Sequence, residues 1–101
     1  MDLEYHVYEG NSFLHKVARM PKTHKGKIEM AQILLNHGAD INAYVQNKYY
    51  RTALHMASVT KDETFVDFLI ENGANTEARD WLGRTPRQSA MEMDRNLDIW
   101  Y

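Results

Sequence analysis

Five histidines, His6, His15, His24, His37 and His55, have the widest chemical repertoire in this 101-residue chain. An imidazole can ligate a metal, carry a proton or activate a nucleophile. Each use needs convergent partners at a set spacing. The sequence holds no His-Glu-x-x-His pair, no glycine-rich phosphate loop and no Gly-x-Ser-x-Gly elbow. Cysteine is absent, which excludes thiolate metal sites, a thiol nucleophile and disulfide staples. His6 and His24 are loop residues without a spaced partner. His37 lies at a helix end, where a cation is favourable beside the last carbonyls. Acidic pairs such as Asp62-Glu63 fall in an inter-helix turn and are expected to be solvated. The expectation is therefore a non-enzymatic chain, with no catalytic, cofactor-binding or metal-binding residues and no cofactor.

The other residues with chemistry to offer suit recognition. Tyr44, Tyr49 and Tyr50 crowd one connector, with Asn47 and Lys48 between them, and Trp81-Leu82 with Arg84 occupy another. Tyrosine and tryptophan supply large contact area at low entropic cost and concentrate at binding hot spots. The competing account is that the two connectors pack their aromatics on each other. Asp80, Gly83 and Arg84 also fit ordinary hairpin-turn chemistry. A second candidate surface is basic: Lys16, Arg19, Lys22, Lys25 and Lys27 stand with His24 in residues 16–27, which contain no acid. Lys22, His24 and Lys25 would form its docking tip for an acidic segment or a phosphate backbone. The plainer account is a solvated loop. No aromatics are interleaved there to stack on bases, which weakens the nucleic-acid version.

Elements that could hold such connectors emerge when the sequence is slid against itself. Residues 34–43, LLNHGADINA, match residues 69–78, LIENGANTEA, at an offset of 35. Residues 52–57, TALHMA, match 85–90, TPRQSA, at an offset of 33, and a degenerate copy, SFLHKV, lies 40 residues before the first. Thr52 and Thr85 sit where a helix N-cap is wanted, and Pro86 takes the favoured first helical position. Leu54, Ala57 and Ser58 line one face of a short helix. A second helix follows, carrying Phe65, Phe68, Leu69 and Ile70 in one unit and Ile28, Ala31, Ile33, Leu34 and Leu35 in the other. Gly38 and Gly73 end those helices as left-handed caps.

This alternation of a Thr-Pro-Leu-His-like start with a Leu-Leu-x-x-Gly-Ala-Asp-x-Asn-Ala-like end resembles the ankyrin repeat family. The likeness runs from about Gly10 onward and is carried best by residues 52–57 and 37–43. It implies an all-α repeat solenoid: ankyrin-type stacked helix–turn–helix units with projecting β-hairpin loops. It also implies that His15 and His55 hydrogen-bond, buried, between neighbouring repeats. Asp40, Ile41 and Asn42, following Leu34, resemble the pattern of ankyrin substrates of asparaginyl hydroxylases, which makes Asn42 a hydroxylation candidate; the structural account is that Asp40 and Asn42 bond the turn backbone.

The expected organisation is a single domain over 1–101, with repeat 1 at about 10–43, repeat 2 at about 44–78 and a partial repeat 3 at about 79–101. Leu14 to Gly38 spans 24 residues against 19 from Leu54 to Gly73, so the first inter-helix loop is expected to be longer by five. The hairpin after Ala43 is longer by two than the one after Ala78. Repeat 3 has Arg87-Gln88 in place of Leu-His and stops inside what should be its second helix. The aromatic stretch 97–101 could cap the stack; alternatively, the exposed solenoid ends could self-associate. The strand-like alternation of Leu3, Tyr5 and Val7 suits half of a hairpin.

The chain has 12 Lys+Arg against 14 Asp+Glu, a net charge of -2, which argues against a surface built wholly for nucleic acid. No run approaches the ~18 apolar residues of a membrane span, and the N-terminus does not read as a signal peptide. The expected location is intracellular, cytoplasmic or nuclear. The expected function is a protein–protein interaction module, an adaptor, scaffold or inhibitor, binding a protein partner and not a membrane. Its contact residues would be Tyr44, Asn47, Lys48, Tyr49, Tyr50, Trp81, Leu82 and Arg84, on hairpin tips beside the concave helix face.

Overall fold

A computed structural model describes residues 13–45 and 50–95. Among them are five helices: α1 (residues 13–19), α2 (Lys27–Asn36), α3 (Ala53–Val59), α4 (Glu63–Glu71) and α5 (Pro86–Arg95). The expectations for residues 1–12, 46–49 and 96–101 lie outside the described residues.

The helix ends follow from local chemistry. The Thr52 hydroxyl accepts from the His55 amide at the start of α3, and the His55 ring accepts in return from the Thr52 amide. This reciprocal cap satisfies two otherwise orphaned donors. Asp62 caps α4 by accepting from Phe65 N. At the other ends, Gly38 and Gly73 have φ of 94° and 96°. Ala39 N donates to Leu34 O while Gly38 N donates to Leu35 O, and Ala74 and Gly73 repeat the pattern onto Leu69 and Ile70. Both helices thus stop in a Schellman motif, which needs a left-handed residue that glycine adopts without steric cost.

The core runs as one cluster through the stack: Leu14, Val17 and Ala18 of α1, Ala31 of α2, Leu54 and Ala57 of α3, and Phe65 and Leu69 of α4. Each large side chain fully buried here contributes about 1.5–3 kcal/mol. α3 packs against both α4 and α5. Small residues sit where helices approach, with Ala18, Ala31, Ala57 and Ser89 fully buried. Ile33 and Ile70, assigned by periodicity to the apolar helix faces, are instead 57% and 43% exposed.

Four of the five extra residues in the first unit lie between its helices, where residues 20–26 replace the three-residue turn 60–62; the fifth lengthens α2 to ten residues against nine in α4. Two expectations need correction. Lys27 does not belong to a solvated basic loop, and Asp62 is not solvated. The Lys27 ammonium is buried, 2.7 Å from Asp62 Oδ2, donates to Met20 O at 2.7 Å, and lies 4.7 Å from the centre of the Phe65 ring. The long loop and the α4 cap are thereby joined through one carboxylate. Removing either partner would leave a buried charge uncompensated.

The connectors turn back on themselves, with Val45 N donating to Arg51 O at 2.8 Å and Asp80 N to Arg84 O at 2.9 Å. No strand is formed among the described residues, so these connectors are turns and not the expected β-hairpins.

Candidate functional site

The connector between α4 and α5 is organised by Asp80, which is buried. Its Oδ1 accepts from the amides of Leu82 and Arg84, both at 2.9 Å. Its Oδ2 accepts from Ser89 Oγ at 3.0 Å and from the Arg84 guanidinium at 3.2 Å. Burial alone would raise the Asp80 pKa. The amides of Arg84 and Leu82, the Ser89 hydroxyl and the Arg84 charge outweigh it and hold the carboxyl below its ordinary value. Gly83, with φ of 76°, makes the sharp turn, and Arg79 donates to its carbonyl at 2.8 Å. From below, His55 Nε2 lies 2.8 Å from Arg84 O and ties the turn to α3. This frame holds Trp81 and Leu82 outward, 48% and 55% exposed. Arg84 itself is largely withdrawn, its side chain 14% exposed against Asp80, so it supports the tip.

In the connector between α2 and α3, Tyr44 and Tyr50 stack with centroids 4.2 Å apart and ring planes 3° from parallel. Tyr50 has φ of 48° and is exposed. The other residues assigned to this tip, Asn47, Lys48 and Tyr49, lie outside the described residues. His15 Nε2 lies 3.1 Å from Ala43 O, matching the His55 bond one unit along. Both histidines therefore have the buried, unit-spanning role expected of them. Asn42 adds a third tie, with Nδ2 donating to Gly73 O at 3.2 Å and Oδ1 accepting from Asn75 N at 2.7 Å. Asp40 bonds the turn backbone through Asn42 N, as expected.

In the basic segment, Lys16, Arg19, Lys22 and Lys25 are exposed. Lys22 and His24 border an open cleft of about 710 Å³, but Glu29, Asp62 and Glu63 line it too, so its charge is mixed. His24 Nδ1 is 2.8 Å from Lys25 O, and His37 Nδ1 is 2.8 Å from Ile33 O at the end of α2. Among the described residues there is no cluster of three or more groups able to hold a metal, and no helix is long and apolar enough to cross a membrane. Sequence reasoning missed Asp62 as the partner of Lys27. The only available signal was its capping position before Glu63, which says nothing about a residue 35 positions away.

Helix pairs stacked in one line, tied by buried histidines and carrying rigid projecting turns, define a solenoid for protein–protein interaction. The family described as Ankyrin repeats (3 copies) matches residues 1–80, and the chain belongs to this family. It is similar to the NF-kappa-B inhibitor cactus of Drosophila melanogaster, with 35% identity over 97 residues, covering 94% of this chain and 18% of that protein. It is also similar to NF-kappa-B inhibitor alpha of Sus scrofa, with 31% identity over 86 residues, 83% of this chain and 26% of that one. Protein glp-1 of Caenorhabditis elegans is 38% identical over 68 residues, 61% of this chain and 5% of its own length. The chain thus spans about a fifth of the cactus proteins it matches.

Proposed function

We propose that this ankyrin chain is a non-catalytic inhibitor or adaptor module, engaging a protein partner through the two connector tips and the concave helix face beside them. The observation carrying this reading is the pair Trp81 and Leu82, half exposed on a turn locked by Asp80. A contact group held rigidly before binding loses little entropy on binding. The exposed Tyr50, stacked on Tyr44, extends the same aromatic surface. The names of cactus and NF-kappa-B inhibitor alpha make NF-kappa-B the first partner to assay. The repeat division at about 10–43, 44–78 and 79–101, and an intracellular setting, accompany this proposal.

Titration calorimetry against NF-kappa-B, with Trp81→Ala and Leu82→Ala, tests it. A hot spot at either position weakens binding by about 2 kcal/mol or more, roughly 30-fold. Stability should stay within about 0.5 kcal/mol. Intact binding with a large loss of stability would make these side chains structural staples instead. The competing reading, electrostatic docking at Lys22, His24 and Lys25, is supported by the exposure of all three. It requires affinity to fall steeply with salt, which an aromatic anchor does not.

A further inference from the structure

Asn72 alone among the asparagines of this chain precedes a glycine. That pairing has a chemistry of its own. The glycine nitrogen, with no side chain to hinder it, attacks the asparagine Cγ. The new C–N bond closes a five-membered succinimide, and the side-chain nitrogen leaves as ammonia with the amide proton. Water then opens the ring at either carbonyl, giving aspartate or isoaspartate. The first unit places His37 before Gly38 at the equivalent position, 35 residues earlier. His37 and Asn72 share φ of -98° and ψ of 16°. Each also sets a side-chain nitrogen 2.8 Å from the carbonyl four residues back, Ile33 O for His37 and Phe68 O for Asn72. Histidine closes its helix as asparagine does, but it has no amide to lose.

In the folded chain this junction is held at three points. Asn72 Nδ2 donates to Phe68 O, Gly73 N donates to Ile70 O at 3.1 Å, and Gly73 O accepts from Asn42 Nδ2 of the preceding unit at 3.2 Å. The ring closes only with Asn72 Cβ eclipsing the glycine nitrogen about the Cα–C bond, and a ψ of 16° turns Cβ away from it. Reaching that eclipsed state breaks the turn that ends α4. Both residues are exposed, so water for the second step is at hand. We propose that Asn72 is a self-modification site gated by the stack: it converts to aspartate or isoaspartate when the end of α4 opens away from Asn42, and the product holds that end open. Either product puts a carboxylate beside the last carbonyls of α4, where negative charge is unfavourable, and Phe68 O loses its side-chain donor. Isoaspartate also adds a backbone atom before Gly73, which shifts Gly73 O out of register with Asn42.

The test incubates the protein at mildly alkaline pH, folded and in guanidinium chloride, and follows the proteolytic peptide carrying Asn72 by mass spectrometry. The folded protein should convert at least ~10-fold more slowly, because only its open fraction reacts. Asn42→Ala, which frees Gly73 O, should speed the folded reaction several-fold, whereas Gln88→Ala at the head of α5 should not. Asn72→His, the first unit's solution, should not convert at all. Equal rates in the folded and unfolded protein overturn the proposal. So does equal acceleration by Asn42→Ala and Gln88→Ala, or no acceleration by Asn42→Ala. The converted protein, separated by its added negative charge, should unfold at lower denaturant concentration than the parent, and an unchanged midpoint overturns the claim that the product holds the end open. Should a variant fail to fold, the folded and unfolded rates of the parent decide.

Discussion

The starts of α3 and α5 use the same three-residue spacing to different extents. Thr52 and His55 exchange two amide bonds at the head of α3, with the Thr52 hydroxyl also 2.8 Å from His55 Nδ1, and Thr85 and Gln88 exchange the same two amide bonds at the head of α5. The glutamine oxygen, 2.9 Å from Thr85 N, does what His55 Nδ1 does at 3.2 Å from Thr52 N. The resemblance stops there. With Nδ1 accepting, the His55 proton is assigned to Nε2, which donates across the ring to Arg84 O, 29 residues along. Gln88 is exposed and makes only the local cap, whereas His55 is fully buried. Histidine at this position is thus a helix cap and a tie to the next connector at once. His15 makes the same kind of tie, to Ala43 O.

Removing the ring altogether, with His55→Ala, removes the ring's half of the cap and the tie and opens a cavity. The expected loss is about 3 kcal/mol, read by urea denaturation. A loss under about 1 kcal/mol would show that the histidine is not holding the stack together. His55→Gln converts the α3 start into the α5 kind: the cap survives, but the tie is lost and Arg84 O keeps only Asp80 N as its donor. That should cost about 0.5–1.5 kcal/mol. A variant as stable as the parent would make the two helix starts equivalent.

The two sites should also differ with pH. Burial depresses the His55 pKa below 6.5, against the smaller opposing effects of the Arg84 carbonyl and Asp80. As pH falls below about 6.5 the unfolded chain binds the proton first, so folding stability declines until the folded-state pKa is passed. His55→Gln should remove that part of the decline and leave the later loss, below the usual carboxylate range, where Asp80 with its depressed pKa is protonated. Parallel stability–pH curves for the two proteins would contradict this assignment. The smallest effect belongs to Gln88→Ala, which removes one exposed half of a cap and should cost about 0.5–1 kcal/mol in thermal melts.

Much of this architecture was legible in local spacing. Thr52 with His55, Thr85 with Gln88, and the glycines at 38 and 73 act within three to five residues, so their partners can be read along the chain. The tips were legible only as composition. Tyr44 and Trp81 mark the connectors as aromatic, but the parallel stacking on Tyr50 and the outward stance of Trp81 depend on how the turns close. Lys27 and Asp62 were read wrongly because nothing local distinguishes them from neighbouring solvated charges. Whether a charge is buried depends on what the fold brings beside it. Here residues 20–26 carry α2 to the cap of α4, and Phe65 and the Met20 carbonyl close over the ammonium. Hydrogen bonds between near neighbours are written in the order of residues; desolvation is a property of everything packed around a group, and it exists only once the helices have stacked.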